Sequence, residues 1–287
     1  MTSRVATLRG IPISYEEIGE GSPVLVLHGL SLDHHVEMAA FEPIFAERTD
    51  TPGWRRIYPD LPGHGATPAP GWLAGSHQVL EVAEELVDTV APGERLTLIG
   101  ASWGAYLAHA LASRRADAIA GLLLTVPVAR AERTRRDLPP RTVLVSEPDA
   151  LADVATGEEG WLEFSVVQTR EMLERFRAGS GMAADEGFLE RLQPRYALPS
   201  EDEMNAVIES PALIVAGRQD SIVGYRDAWP LLEHLPRASF AVLDRAGHAL
   251  EDEQWSLLRA LAHEWLDRVV EHRSRIAGSP KPGATAD

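Results

Sequence analysis

The sequence contains no cysteine among its 287 residues. Disulfide bonds, cysteine nucleophiles and zinc sites built on thiolates are therefore excluded. Long apolar runs are also missing, since the longest, AIAGLLLTVPVA at 118–129, is too short to cross a bilayer. Residues 1–21 lack the apolar core of a signal peptide. We therefore expect a cytoplasmic protein that does not insert into a membrane.

Positive charge is scarce in this chain. Lys and Arg total 27 against 43 Asp and Glu, which gives a formal net charge of −16. Proteins that bind nucleic acid use clustered Lys and Arg to neutralise the phosphate backbone, so we expect no nucleic-acid partner. Apolar residues make up 45% of the chain, which is enough for a packed core. The composition is compatible with a homo-oligomer.

Strand-like and helix-like segments alternate along most of the chain. Helical periodicity, for example at 77–91, separates apolar runs typical of strands buried on both faces, which lie at 23–27, 95–100, 118–126 and 211–217. This alternation predicts an α/β fold with a mostly parallel sheet covered by helices on both faces. Ligands of such sheets bind at the carboxyl ends of the strands, so the loops there are the place to look for chemistry.

The alternation stops between residues 127 and 209. This stretch is rich in charge and in helix formers and has no run that resembles a core strand, so it predicts a helical insertion. Residues 1–126 and 210–271 are then expected to form the core. The last stretch, 272–287, ends in GSPKPGATAD and predicts a disordered tail.

One serine stands between two glycines where an apolar run meets an Ala-rich helical segment. The stretch is GASWG, residues 100–104. A strand that turns at once into a helix strains the central residue, and glycines two positions away on each side leave room for the turn. The Ser102 hydroxyl would then lie at a helix N-terminus, where backbone N–H groups favour negative charge. Ser102 is therefore a candidate nucleophile.

A serine nucleophile needs a base, and the base needs an orienting carboxylate. The loops that follow two later strand-like runs supply both, since GRQD at 217–220 carries Asp220 and AGH at 246–248 carries His248. The chain order Ser, Asp, His is the order associated with this type of serine turn. Residues 124–130, which follow another strand-like run, contain no carboxylate, so Asp220 has no rival there.

The sequence resembles the α/β-hydrolase family from about residue 4 to residue 271. The resemblance rests on five short motifs in the family's order: HG at 28–29, DLPGHG at 60–65, GASWG at 100–104, GRQD at 217–220 and GH at 247–248. It implies a mostly parallel sheet of eight strands. It also implies that the insertion at 127–209 is a helical cap over the active site.

The resemblance implies a role for each site residue. Ser102 would attack the substrate, His248 would act as general base and then as general acid, and Asp220 would hold the imidazole in its tautomer. The backbone N–H groups of Leu30 and Trp103 would bind the oxyanion, a contribution of roughly 3 kcal/mol per donor. No metal and no organic cofactor is implied.

Candidates for the substrate pocket come from three parts of the chain. They are His34 near the HG motif, Trp161 and Phe164 in the cap, and the side chain of Trp103 beside the nucleophile. The apolar cap residues fit equally well a role in packing the cap helices together.

Several other polar residues are expected to be structural. Asp33, His34, His35 and Glu37 are not expected to bind a metal, because adjacent histidines rarely converge on one ion. Instead, one of the two adjacent histidines should face the pocket and the other solvent. Glu253 is expected to support the start of the last helix through its charge. His28 and His64, in the HG and DLPGHG motifs, are likewise expected to be structural.

The expected function is that of a serine hydrolase that cleaves a small or medium-sized carboxylic ester or lactone through an acyl-enzyme. Amide, thioester and C–C bond hydrolysis use the same triad and are alternatives, although C–C hydrolases of the meta-cleavage type usually have tryptophan where this chain has Ala249. Epoxide hydrolases and haloalkane dehalogenases of the family have aspartate at the position of Ser102. A receptor-like protein that binds a small molecule in the same pocket is the alternative from another class.

Overall fold

A twisted central sheet organises the protein, whose computed structural model describes residues 1–179, 184–199 and 204–278. Within these ranges, eight strands form the sheet: β1 (Thr2–Leu8), β2 (Ile11–Ile18), β3 (Ser22–Leu27), β4 (Trp54–Pro59), β5 (Leu96–Ala101), β6 (Ile119–Thr125), β9 (Ala212–Gly217) and β10 (Ala238–Leu243). Their spatial order is β1-β2-β4-β3-β5-β6-β9-β10. The prediction of an α/β fold with eight strands is confirmed.

Most neighbouring strands are parallel. β1 and β2 form an antiparallel hairpin, and β2 is antiparallel to β4, whereas every pair from β4 to β10 is parallel. Every residue of β5, β6 and β9 is buried, which explains why these strands read as continuous apolar runs. The edge strand β10 is only half-buried along its length.

Long helices cover the sheet on both faces. These helices are α1 (His34–Ala46), α2 (Ser76–Val90), α3 (Trp103–Arg114) and α9 (Trp255–Gly278). α1 packs against α9, and α2 packs against α3. Within the described ranges, no helix combines the length and the apolar character needed to cross a membrane.

The segment between β6 and β9 holds short elements that build a separate small core. Its helices are α4 (Pro148–Ala152), α5 (Glu159–Phe164), α6 (Arg170–Ala178) and α7 (Glu186–Leu192). The pair β7 (Val145–Ser146) and β8 (Val167–Gln168) forms a parallel ribbon that the sequence did not predict, because two residues per strand leave no periodic pattern. Trp161, Val166, Val167, Met172 and Leu173 are buried together beneath these elements.

The C-terminal helix is longer than expected. The prediction of a disordered tail at 272–287 is wrong for residues 272–278, because α9 continues to Gly278. Charged residues four apart, Glu264 with Arg268 and Glu271 with Arg275, form ion pairs along the polar side of the helix. The remainder of that predicted tail, 279–287, lies outside the described residues. A short helix, α8 (Leu250–Glu253), precedes α9.

Trp265 fixes α9 to the sheet, so its truncation should be costly. Its ring is fully buried and its indole N–H donates to the Pro211 carbonyl oxygen at 3.0 Å. We expect Trp265→Ala to lower the free energy of unfolding by about 3–5 kcal/mol, since it leaves a large cavity and removes one of the two hydrogen bonds to the Pro211 carbonyl oxygen. Leu257→Ala, on the same helix but 48% exposed, is the control and should change stability by less than about 0.5 kcal/mol. Equal losses in chemical denaturation would contradict this.

Candidate active site

Ser102 lies in a sharp turn between β5 and α3, with a backbone conformation of φ 53° and ψ −115°. Two close backbone approaches make the turn possible. A Cβ on Gly100 would lie 2.5 Å from the Gly104 carbonyl oxygen, and a Cβ on Gly104 would lie 2.1 Å from the Leu27 carbonyl oxygen. Only hydrogen fits at both places, so the glycines of GASWG are required by sterics. The Ser102 N–H is fixed by the Thr125 carbonyl oxygen at 3.0 Å.

Ser102, His248 and Asp220 form one hydrogen-bonded chain. The Ser102 Oγ lies 2.9 Å from His248 Nε2, and His248 Nδ1 lies 2.9 Å from Asp220 Oδ2. Because a carboxylate only accepts, the proton is on Nδ1, and Nε2 is left to accept from the serine hydroxyl. The structure thus brings together the three residues that the sequence named as the triad.

Backbone donors hold the Asp220 carboxylate in place. Its second oxygen, Oδ1, accepts from the N–H groups of Ile222 at 2.8 Å and Val223 at 3.0 Å. The side chain is fully buried between β9 and the following loop. The orientation of the imidazole is therefore fixed by a group that cannot itself rotate freely.

The two predicted oxyanion donors lie next to the nucleophile. Trp103 is the first residue of α3, where an N–H has no acceptor one turn earlier in the helix. Leu30 lines the same cavities as Ser102 and His248, and Gly29 beside it packs on Ser102, since a Cβ there would lie 3.5 Å from the Ser102 Cβ. The Trp103 N–H thus lies at the N-terminus of α3, where negative charge is stabilised, and the Leu30 N–H belongs to the loop beside it.

Two buried histidines shape the loop that carries Leu30. His28 donates from Nδ1 to the Gly29 carbonyl oxygen at 2.8 Å and accepts at Nε2 from the Leu61 N–H at 2.9 Å. His64 accepts at Nε2 from the Ser31 N–H at 3.1 Å, and its Nδ1 lies 3.1 Å from the Pro62 carbonyl oxygen.

Both of these histidines must be neutral to accept these bonds. Burial lowers the pKa of His28 and lowers the pKa of His64 to about 3. The HG and DLPGHG motifs thus form one hydrogen-bonded unit behind the oxyanion loop.

Two chambers meet at the serine. Both are lined by Leu30, Ser102, Phe164 and His248. The large chamber, of about 540 Å³, continues along Val128, Thr134, Gln193, Tyr196 and Val223. The small chamber, of about 100 Å³, continues along Leu32, Val36, Ala40, Val126 and Phe176. A bond held at Ser102 therefore has room for one group on each side.

Carboxyl groups line the small chamber among its apolar walls. These are Glu37 of α1 and Glu251 and Asp252 of α8. Burial and the Glu251 charge raise the pKa of Glu37 well above its ordinary value, and burial also raises the pKa of Glu251. Burial raises the pKa of Asp252 to about 7. The hydroxyl of Thr125 donates to Glu251, which ties this group to the strand end next to Ser102.

Among the pocket residues expected from the sequence, the structure places only Phe164 at both chambers. The expectation for Trp161 is wrong, because its ring is buried in the small core of the cap. His34 does not line either chamber, since its Nδ1 lies 2.7 Å from Asp60 Oδ1. The Trp103 ring is fully buried and donates to the Ser76 hydroxyl at 3.0 Å, so it is not a pocket wall.

The Asp33, His34 and His35 side chains lie close together but have internal partners. Their ligand atoms lie within 4.8 Å of one another. Asp33 caps α1 by accepting from the His35 N–H at 3.0 Å, and the His35 ring also contacts this carboxylate at 3.1 Å. His34 turns to Asp60 instead, and His35 points to solvent. The cluster therefore serves the helix start and the neighbouring loop.

Glu253 has a role different from the one expected. Instead of supporting α9 by its charge, it accepts from the Val166 N–H at 2.6 Å, the Val167 N–H at 2.8 Å and the Gly247 N–H at 2.6 Å. It is buried, and burial raises its pKa. Glu253 thus joins the cap to the loop of His248, where the Phe164 carbonyl oxygen also accepts from the His248 N–H at 3.1 Å.

The carboxyl groups of the small chamber were missed as a set. The acidic run LEDE at 250–253, directly after the catalytic histidine motif, was the signal that could have found Glu251 and Asp252. Glu37 gave no local signal, because the side to which it points depends on how α1 packs against α8 and β3.

Comparison with known proteins is consistent with this geometry. The sequence profile of the alpha/beta hydrolase fold matches residues 22–253. The chain is 29% identical over 260 residues to a pimeloyl-(acyl-carrier protein) methyl ester esterase of Chromobacterium violaceum, covering 86% of this chain and 95% of that protein.

Two solved structures are similar over nearly their whole length. An alpha/beta superfamily hydrolase from Oenococcus oeni has a TM-score of 0.81 and 29% identity, with 93% of this chain and 99% of that chain covered. A thermophilic esterase from Thermogutta terrifontis has a TM-score of 0.68 and 24% identity, with 94% and 99% covered, and indicates a shared fold.

Removing the hydrogen-bonding capacity of Glu253 should weaken the fold where the cap meets the core. In Glu253→Gln one carboxylate oxygen becomes an NH₂ group, which leaves at least one buried N–H donor facing another donor. We expect the free energy of unfolding to fall by about 1–3 kcal/mol. Glu264→Gln, an exposed change on α9, is the control and should have an effect below about 0.5 kcal/mol. Unchanged denaturant midpoints in both variants would refute this account of Glu253.

The raised pKa of Glu37 should make stability depend on pH. The folded state binds the proton of the Glu37 carboxyl group more tightly than the unfolded chain does. The contribution of this proton to the free energy of unfolding is therefore fully present below the ordinary pKa of 4.5 and is lost as the pH rises toward the raised pKa. Glu37→Gln lacks the group. Its free energy of unfolding minus that of the wild type should therefore increase as the pH rises from about 4.5 through the neutral range.

Urea denaturation across this pH range measures that difference. Glu42→Gln makes the same substitution on α1 outside the small chamber and is the control. A difference for Glu37→Gln that stays constant with pH would show that Glu37 ionises in the folded protein as it does in the unfolded chain.

Proposed function

Because this chain belongs to the alpha/beta hydrolase fold family, we propose that it is a serine hydrolase that cleaves a small or medium-sized carboxylic ester through an acyl-enzyme intermediate. The observation that carries the proposal is the unbroken hydrogen-bonded chain from Ser102 through His248 to Asp220. A lactone, which is a cyclic ester, falls within the same chemistry.

In the first half of the reaction, Ser102 Oγ attacks the carbonyl carbon while its proton moves to His248 Nε2. The buried Asp220 carboxylate stabilises the imidazolium that results. The N–H groups of Leu30 and Trp103 hold the oxyanion of the tetrahedral intermediate. His248 then gives the proton to the leaving alcohol, and the acyl group stays on Ser102.

In the second half, a water molecule loses a proton to His248 Nε2 and attacks the acyl-enzyme. Collapse of the second tetrahedral intermediate returns the proton to Ser102 and releases the acid. The large chamber, at about 540 Å³, is within the size range of small-molecule sites and opens to solvent, so it suits both the entry of substrate and the entry of water.

Two observations support ester cleavage over the other reactions of this triad. The relative from Chromobacterium violaceum that covers most of the chain is named as a methyl ester esterase. The chain also has Ala249 after His248, where C–C hydrolases of the meta-cleavage type usually have tryptophan.

The test is hydrolysis of p-nitrophenyl acetate and butyrate by the wild type and by Ser102→Ala, together with labelling by a fluorophosphonate. We expect the variant to lose labelling and to lose at least about 10⁴-fold in kcat. Ser113→Ala, the same change at a serine in the last turn of α3, is the control and should keep both.

The other outcomes separate the alternatives. Wild type that labels but does not turn over esters would redirect the search to thioesters, amides and C–C substrates. Wild type that neither labels nor turns over would contradict the hydrolase and favour a protein that only binds its ligand.

A further inference from the structure

The small chamber contains an acceptor group that the protein itself does not satisfy. Glu37 is 0% exposed, yet neither of its carboxyl oxygens receives a hydrogen bond from an N–H or O–H donor of the described residues. The Gly29 backbone and the Glu251 carboxyl group lie close enough to affect its pKa, but neither has the distance and angle of a hydrogen bond to Glu37. A buried polar group without a donor is unfavourable by several kcal/mol in an apolar environment, so it points to a ligand that supplies the donor.

Glu251 cannot satisfy Glu37 completely. The pair can share one proton, which leaves acceptor capacity on both carboxyl groups after that hydrogen bond is made. The Thr125 hydroxyl already donates to Glu251 and is not available to Glu37. Two partly satisfied carboxyl groups therefore face a chamber whose other walls, such as Leu32, Val36 and Phe176, are apolar.

The chamber has the dimensions of a short substituent. Its volume of about 100 Å³ is less than a fifth of the about 540 Å³ of the large chamber, so it suits a short arm and excludes a long one. One end opens at Ser102 and His248, and the carboxyl groups line the same space. An arm attached to the reacting carbonyl can therefore reach them.

We propose that the small chamber is a specificity subsite for a short substrate arm that ends in a hydrogen-bond donor, a hydroxyl or an ammonium group, which Glu37 and Glu251 accept. This inference rests on the proposed function, because it names the class of ester that the site selects. An alkyl arm leaves the carboxyl groups unpaired, and a carboxylate arm adds a further negative charge beside them.

One positively charged residue at the chamber would attract an anionic arm instead of a donor arm. Arg175 is the only Arg or Lys among the described residues that line it, and its charge acts on Asp252. Its side chain is 41% exposed and is 3.2 Å from Glu171, so it lies at the outer side and is already paired. Glu37, in contrast, is fully enclosed. A donor arm is therefore favoured over an anionic one.

The experiment compares esters whose arms have nearly the same size and differ in the terminal group. These are methyl butanoate, methyl 3-hydroxypropanoate, methyl 3-aminopropanoate and monomethyl succinate, with kcat/KM measured by methanol release at neutral pH. Propyl acetate against 2-hydroxyethyl acetate makes the same comparison on the alcohol side. We expect a donor arm to exceed its alkyl counterpart by about tenfold or more in at least one of these sets.

Variants at Glu37 identify the source of the selectivity. Glu37→Leu should bring the ratio of donor arm to alkyl arm to one or below. Glu37→Gln keeps an acceptor without a charge, so it should keep a preference for hydroxyl and lose a preference for ammonium, which tells the two donors apart. Glu42→Gln, the same change outside the chamber on the same helix, should leave the ratio as in the wild type.

These ratios are taken within one variant, so a partly unfolded preparation does not alter them, and the wild-type comparison stands even if Glu37→Leu does not fold. Wild type in which no donor arm exceeds its alkyl counterpart on either side, or a donor preference that survives Glu37→Leu, would overturn the inference. Turnover of p-nitrophenyl acetate and fluorophosphonate labelling report on Ser102 without an arm. If both are observed but donor and alkyl arms have equal kcat/KM, the subsite alone is refuted. If neither is observed, the proposed function and the subsite are refuted together.

Discussion

The steric constraint on which the site depends is the contact of backbone with backbone around Ser102. At Gly100 and Gly104 the neighbouring carbonyl groups come so close that no side chain fits. This closeness lets β5 turn into α3 within one residue, and it fixes Ser102 at a positive φ. The loops of Leu30, Asp220 and His248 all end at the same edge of the sheet, so their positions are set relative to this turn.

The polar interior of the site divides into a part that is satisfied and a part that is not. Asp220, His28 and His64 have backbone partners, and each bond fixes a loop. Glu37 is fully buried and Glu251 is partly exposed, and both line the small chamber. The residues with backbone partners contribute to a rigid frame. The two glutamates lack enough donors, and a hydrogen-bond donor on a ligand would stabilise them. In the proposed subsite, selectivity therefore comes from groups other than those that make the frame rigid.

The triad and the sheet could be predicted because their signals are local. A continuous apolar run predicts a buried strand, and a serine between two glycines predicts the turn, without knowledge of what packs where. Trp161, His34 and Glu253 were misjudged because their roles depend on which way a side chain faces after the cap and α1 have packed. Residues 272–278 were misjudged because a helix without an apolar stripe is stabilised there by charge pairs.

The hydrogen bonds that join the cap to the His248 loop involve main-chain groups, which affects which sequence changes the cap tolerates. Glu253 and Phe164 hold the two parts together through main-chain atoms of both, so the join does not depend on the identity of the cap side chains around it. The side chains of Val166 and Val167 can therefore change without loss of these hydrogen bonds as long as residue 253 stays acidic. A cap taken from another protein should keep this join when its backbone places two adjacent N–H groups at the Glu253 carboxylate. Main-chain geometry at this point therefore matters more for exchanging caps than sequence similarity does.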